Sequence, residues 1–147
     1  MHYPLVEGTL PLPDNVQDRT VNMFTLGTSL PAPLSITVSR DDLLPDEHFE
    51  AYIKRQIKLL GSNLKGYTLS GQEVCQLGAD AHAITGVQLN ARYMNGQRPI
   101  YQRQAAFLVS TGRALIFTTT SQTPFSAQQD QEWQAMLMGF VPAHSPA

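Results

Sequence analysis

Apolar and polar residues alternate along much of the chain, and this pattern predicts β-strands. From Leu34 to Arg40 the apolar side chains fall on one face, and the hydroxyls of Ser35, Thr37 and Ser39 fall on the other. Further strands are predicted at 6–12, 19–26, 67–77, 81–93, 97–110 and 114–121. Short Gly-containing turns separate the last four, so we expect an antiparallel meander.

A strong helix is predicted after the 34–40 strand. Between Phe49 and Leu60 apolar residues recur every three or four positions, which indicates one stripe packed on a sheet. We expect Asp46 to cap the start of this helix and Gly61 to end it. Leu60 belongs to this stripe, together with Ile57 or Gln56.

A second helix is predicted to start at Ser126, with Gln129 completing a capping box, and to end at Gly139. The residues after it, 141–147, contain two prolines and are expected to form a loose tail. The predicted fold is therefore one α+β domain over residues 1–147. In it a twisted antiparallel sheet carries two main helices.

Charge is scarce in this sequence. Only 15% of the 147 residues are charged, the net charge is −2, and Arg113 is the only charged residue between Gln104 and Gln129. No basic cluster could neutralise a phosphate backbone, which argues against nucleic-acid binding. A surface that carries hydroxyls and amides can bind another polypeptide without burying a charge. The composition therefore favours a binding surface over an active site.

Residues that could perform catalysis or bind a metal are not grouped along the sequence. The four histidines lack a ligand spacing, Cys75 is the only cysteine, and no nucleophile motif is present. The carboxylate pairs Asp41-Asp42 and Asp46-Glu47 flank a predicted helix start, where capping explains them. We expect no enzyme activity, metal or cofactor. Without a signal peptide or membrane segment, the cytoplasm is the expected location.

The amides of Gln102 and Gln104 are predicted to share one strand face with Ala106 and Leu108. Two interpretations stay open for this face. It is either an ordinary solvated surface, or a surface whose amides bond a partner's backbone while apolar neighbours receive its side chains.

The order of four segments resembles the DcrB/Eag-type domain family, and within it the effector-associated (Eag) chaperones of bacterial type VI secretion. These segments read EGTLPLP (7–13), DRTVNMF (18–24), LSITVSR (34–40) and YIKRQIKLL (52–60). The resemblance implies a PsbP/Mog-one-like α/β sandwich that forms a homodimer. It also implies an adaptor chaperone that shields the transmembrane helices of a toxin effector before loading on the secretion spike. The client would carry a PAAR domain beside its apolar N-terminal helices.

A helix from a membrane protein packs through small side chains, so its receptor should be apolar, uncharged and studded with hydroxyls and amides. We expect the client-binding residues to line one groove. They are Val21, Met23, Ser35, Thr37, Ser39, Gln56, Leu60, Gln102 and Gln104. The alternative is an accessory protein of the PsbP or DcrB type that binds a folded partner.

Overall fold

A computed structural model of the protein describes residues 1–28 and 32–143. Part of the predicted 27–33 loop and residues 144–147 of the predicted tail, including His144, lie outside the described residues. The described elements are β1 His2–Pro4, β2 Thr9–Pro11, β3 Asn22–Thr25, β4 Leu34–Asp42, α1 Phe49–Asn63, β5 Thr68–Leu77, β6 Ile84–Asn95, β7 Arg98–Ser110, β8 Arg113–Ser121 and α2 Ala127–Met138.

Six of these strands form one antiparallel sheet in the order β3-β4-β8-β7-β6-β5. Strands β5 to β8 follow one another as the predicted meander. Strand β4 pairs with the last of them, β8, and β3 forms the outer edge beside it. The connection through α1 therefore carries the chain from β4 to the opposite edge of the sheet.

Each helix covers a different face of this sheet. On one face, Tyr52 and Ile53 of α1 pack with Leu89 and Ile116 in a buried cluster. On the other, α2 contributes Trp133 and Leu137 to a cluster with Phe107 and Phe117. These clusters are the two hydrophobic cores, and they confirm the α+β class with two helices packed on an antiparallel sheet. The finer PsbP/Mog-one-like assignment and the single-domain division stay predictions.

The predicted ends of α1 are wrong, and those of α2 are confirmed. The residue before α1 is His48, and no side-chain hydrogen bond caps it. Asp46 instead has a positive φ of 61° in the connection before the helix. The helix also continues past Gly61 to Asn63. Ser126 and Gln129 form the predicted capping box of α2, and Gly139 follows its last turn.

The N-terminal strands differ most from the prediction. The stretch predicted as one strand, 6–12, contains only β2, which pairs with β1 in a separate two-stranded sheet. Prolines lie in or beside both strands and cannot donate ladder hydrogen bonds, which confines such segments to edges. β3 is also shorter than predicted, and β6 begins at Ile84 because residues Asp80–His82 form a 3₁₀ turn.

Candidate functional site

One face of the large sheet carries a continuous series of hydroxyl groups. Side chains of directly paired residues in an antiparallel sheet point to the same face. In the β4–β8 ladder, Ser35 pairs with Thr120 and Thr37 pairs with Thr118. We call the face that carries these residues the hydroxyl face. It is the face on which α1 packs, because Ile116 lies on it beside Ser39.

The pairing extends these hydroxyls into rows across the sheet. One row runs Met23, Thr37, Thr118, Gln104 and Leu89 through five neighbouring strands. The row above it reads Thr25, Ser35, Thr120, Gln102 and Ala91, and the row below it reads Ser39, Ile116, Ala106 and Val87. None of these positions is charged. The first two rows begin at the exposed β3 residues Met23 and Thr25, and Leu89, Ala106 and Val87 at the other side of the sheet belong to the α1 cluster.

Polar groups in these rows bond to one another. The Ser35 Oγ and the Thr120 Oγ1 share a hydrogen bond of 2.6 Å. The Gln104 Nε2 donates to the Thr118 Oγ1 at 3.3 Å. Covering a polar surface costs free energy mainly when its polar atoms lose their hydrogen-bond partners. Because these side chains already bond to one another, an apolar group that covers them would leave few polar atoms without a partner.

Asp41 is the charged residue of β4 that lies on the hydroxyl face beyond these rows, and its carboxylate accepts hydrogen bonds from its neighbours. The Tyr52 hydroxyl donates to the Asp41 Oδ2 at 2.9 Å, and the Gln56 Nε2 donates to the same oxygen at 3.2 Å. The backbone N–H of Asp42 donates to the other carboxylate oxygen at 3.0 Å. Burial, together with the bond to Asp41, raises the pKa of Tyr52, so this hydroxyl stays protonated as a donor.

The opposite face of the same strands carries further charged side chains. Arg103 lies on it, opposite Thr119, and pairs with Asp130 of α2. The Arg40 Nη1 donates to the Asn22 Oδ1 at 2.7 Å on this side of the β3–β4 edge. The alternation of each strand therefore keeps charged side chains out of the three rows, and the charged residues Asp41 and Arg98 lie on the hydroxyl face beyond them.

The predicted binding residues take different positions around this face. Met23, Ser35, Thr37, Ser39, Gln102 and Gln104 lie on the hydroxyl face by their pairing. Val21 lies one residue before β3 and is 55% exposed. Gln102 is only 8% exposed, and Leu60 packs against the α1 core cluster, so both are largely covered here. Their role in binding stays a prediction.

The structure adds residues that the sequence reasoning left out. Thr118 and Thr120 connect the hydroxyls of β4 to the amides of β7. Alternation within β8 could not single them out, because residues 118–120 are all threonine. The β4–β8 register distinguishes them from Thr119, which is buried on the opposite face. Asp41 and Tyr52 are also part of the site, and only the three-dimensional contact between β4 and α1 reveals them.

Other parts of the molecule offer different chemistry. A cavity of about 560 Å³ lies near the arginines Arg19, Arg40 and Arg113 and three aspartates, including Asp41, so its lining is highly charged, unlike the three rows of the hydroxyl face. Within residues 1–28 and 32–143, no three His, Cys, Asp or Glu side chains come together as a metal ion would require. Neither described helix has the length and hydropathy needed to cross a bilayer.

Comparisons with known proteins agree with this architecture. The chain is 28% identical over 147 residues to a Pseudomonas aeruginosa protein named Effector EagT6, covering 99% of this chain and 98% of the relative. A crystal structure of the P. aeruginosa protein PA94, described as of unknown function, superposes with a TM-score of 0.73. Its identity is 26%, and the match covers 99% of this chain and 98% of that one. The sequence profile of the DcrB family matches residues 7–139, and the chain therefore belongs to the DcrB family.

Proposed function

We propose that the protein is a cytoplasmic adaptor chaperone, with no enzymatic activity, for a type VI secretion effector. In this proposal the hydroxyl face binds the apolar N-terminal transmembrane helices of the effector and shields them until the effector is loaded on the secretion spike. The client carries a PAAR domain beside those helices. The similarity to Effector EagT6 supports the connection with effectors.

The observation that carries this proposal is the combination of missing charge and internal pairing in the rows of the hydroxyl face. A client helix that covers the row from Met23 to Gln104 buries no charge of the chaperone. It also leaves the bonded hydroxyls and amides with the partners they already have. Covering a charged sheet face would cost several kcal/mol for each unpaired ion. An apolar helix is therefore the partner that this surface accepts at least cost.

The exposed edge of the face provides the apolar contacts. Met23 is 68% exposed and Val21 is 55% exposed at the β3 edge. Burying several hundred Å² of apolar surface contributes on the order of 10 kcal/mol before ordering costs. Holding a client therefore needs no nucleotide, and a competing apolar site such as the membrane is sufficient to release it.

We also propose that the protein forms a homodimer through its N-terminal arm, the segment with β1 and β2. A two-stranded hairpin has little stability on its own. Yet this arm exposes Leu5 by 49%, Val6 fully and Leu10 by 44%, and a hollow of about 360 Å³ lies among its apolar side chains. Apolar groups of a second copy would cover these side chains.

The test of the chaperone function is co-expression with a PAAR-containing effector that has apolar N-terminal helices. We expect wild-type protein to raise the soluble yield of the effector several-fold, and Thr37→Glu to lose this effect because a charge then lies within the row. Thr68→Glu is the control, since Thr68 is exposed at the other edge of the sheet and pairs with Arg92.

Both variants should keep the wild-type melting temperature within a few degrees, which separates loss of binding from loss of the fold. An unchanged effector yield with wild-type protein would contradict the chaperone proposal. Recovery of only folded, soluble partners in a pull-down would favour the alternative of an accessory protein that binds a folded partner.

A further inference from the structure

The Asp41 carboxylate fixes the orientation of the Gln56 side-chain amide. A carboxylate accepts hydrogen bonds and cannot donate them. The contact of 3.2 Å between Gln56 and the Asp41 Oδ2 must therefore be made by the amide nitrogen, Nε2. A flipped amide would place two acceptor oxygens against each other. Tyr52, which donates to the same oxygen at 2.9 Å, holds the carboxylate in place from one helical turn away.

This orientation leaves the Gln56 carbonyl oxygen, Oε1, available. Among the described residues, the Tyr67 hydroxyl is the one buried side-chain polar atom without a partner. The Gln56 Oε1 has no donor within the described part of the chain, so it is open to solvent. Asp41 lies on the same face of β4 as Ser39, two residues away, which places the Gln56 amide beside the hydroxyl face.

We infer that Asp41 is a positioning residue that makes Gln56 present its carbonyl oxygen, Oε1, as an acceptor to the bound helix. This inference rests on the proposed chaperone function. It names a chemical preference of the face: a client helix that carries a hydrogen-bond donor, such as a Ser or Thr hydroxyl, binds better than the same helix with an apolar residue there. A neutral hydrogen bond of this kind corresponds to about a fivefold difference in Kd.

Two synthetic helices test the preference. Both are Lys-flanked peptides of about 20 Leu, Ala and Gly residues, long enough to imitate a membrane helix. One carries Thr at four-residue spacing, and the other carries Val, which has nearly the same shape without the hydroxyl. Wild-type protein should bind the Thr peptide about fivefold more tightly by titration calorimetry.

The variants separate positioning from a general structural effect. Gln56→Met should abolish the preference for Thr, because it removes the acceptor. Asp41→Ala should weaken the preference, because the freed amide no longer keeps one orientation, and the double variant should behave like Gln56→Met. Gln56→Met keeps the Tyr52–Asp41 bond, so it tests the inference even if Asp41→Ala folds poorly. Asp42→Ala, which removes an exposed neighbouring carboxylate, should keep the preference.

An unchanged preference in Asp41→Ala, or a preference that survives in Gln56→Met, would overturn the inference, and so would equal wild-type binding of the two peptides. In both cases the chaperone function itself would stand, because the peptides still bind. Failure of the wild type to bind either peptide would overturn the proposed function together with this inference.

Discussion

Single residues decide which face of the sheet is charged. Arg40 follows Ser39 in β4, yet its side chain reaches the opposite face, where it donates to Asn22. The side chain of the next residue, Asp41, lies on the hydroxyl face, where Tyr52 and Gln56 donate hydrogen bonds to its carboxylate. A shift of one residue in the register would move Arg40 into the rows of hydroxyls. The strand register therefore determines which face is charged as much as the residue types do.

Cys75 provides a prediction at this scale. It is half-buried in β5 and takes part in the core cluster beneath α2. Burial, and to a smaller extent the charge of Glu73, raises its pKa to about 12. Since the thiolate is the reactive form, alkylation by iodoacetamide at pH 8 should be slower in the folded protein than in denaturant by on the order of a thousandfold.

The same shift makes stability depend on pH. The folded protein keeps the thiol protonated where the unfolded chain loses its proton, so the contribution is present below pH 9.0 and is lost as pH rises towards about 12. Cys75→Ala should remove this part of the pH dependence. Rapid alkylation of the folded protein would contradict the burial of the thiol.

The residues of the hydroxyl face also show which parts of the site could be predicted from the sequence. Alternation assigned Ser35, Thr37 and Ser39 to one face because the apolar residues between them mark the other. The run 118–120 consists of three threonines, so it offers no such contrast, and only the β4–β8 register shows which two face the groove. The contact between Asp41 and Tyr52 joins a strand end to a helix and leaves no local pattern.

At the scale of elements, long periodic segments were predicted well and short ones poorly. The bounds of β4, β5, β7 and β8 lie within two residues of the prediction, because the hydrophobic period of each strand is clear. The start of α1 was wrong, since Asp46 adopts a positive φ in a turn instead of capping the helix. Turn geometry of this kind follows from contacts that the sequence does not show.

The N-terminal arm provides the prediction at this scale. Leu10→Asp places a charge in the apolar surface that we assign to the dimer contact, so light scattering after gel filtration should show a shift from dimer to monomer. Val74→Asp is the control, because Val74 is 72% exposed on β5, away from the arm. An unchanged dimer in Leu10→Asp, or a monomeric wild type, would contradict the arm contact.

In the whole molecule, the two faces of the sheet differ in what covers them and in the side chains they carry. One face is covered by α2 and carries the charged network of Arg103 and Asp130. The other is covered by α1 at the end where Ala106 and Leu89 lie, and it leaves the β3–β4 edge exposed. A partly covered face of this kind has a floor of strands and a wall of one helix. It is the part of the protein that we assign to the client.

The most direct test of this assignment uses two neighbouring residues of β3. Met23 and Phe24 are exposed by 68% and 58%, and their pairing with Thr37 and Ile36 places them on opposite faces. Calorimetric titration with the apolar effector helix should show that Met23→Glu weakens binding by at least about tenfold, corresponding to roughly 1.4 kcal/mol. Phe24→Glu should bind as the wild type does. Equal effects of the two substitutions, or a stronger effect of Phe24→Glu, would contradict the claim that the hydroxyl face holds the client.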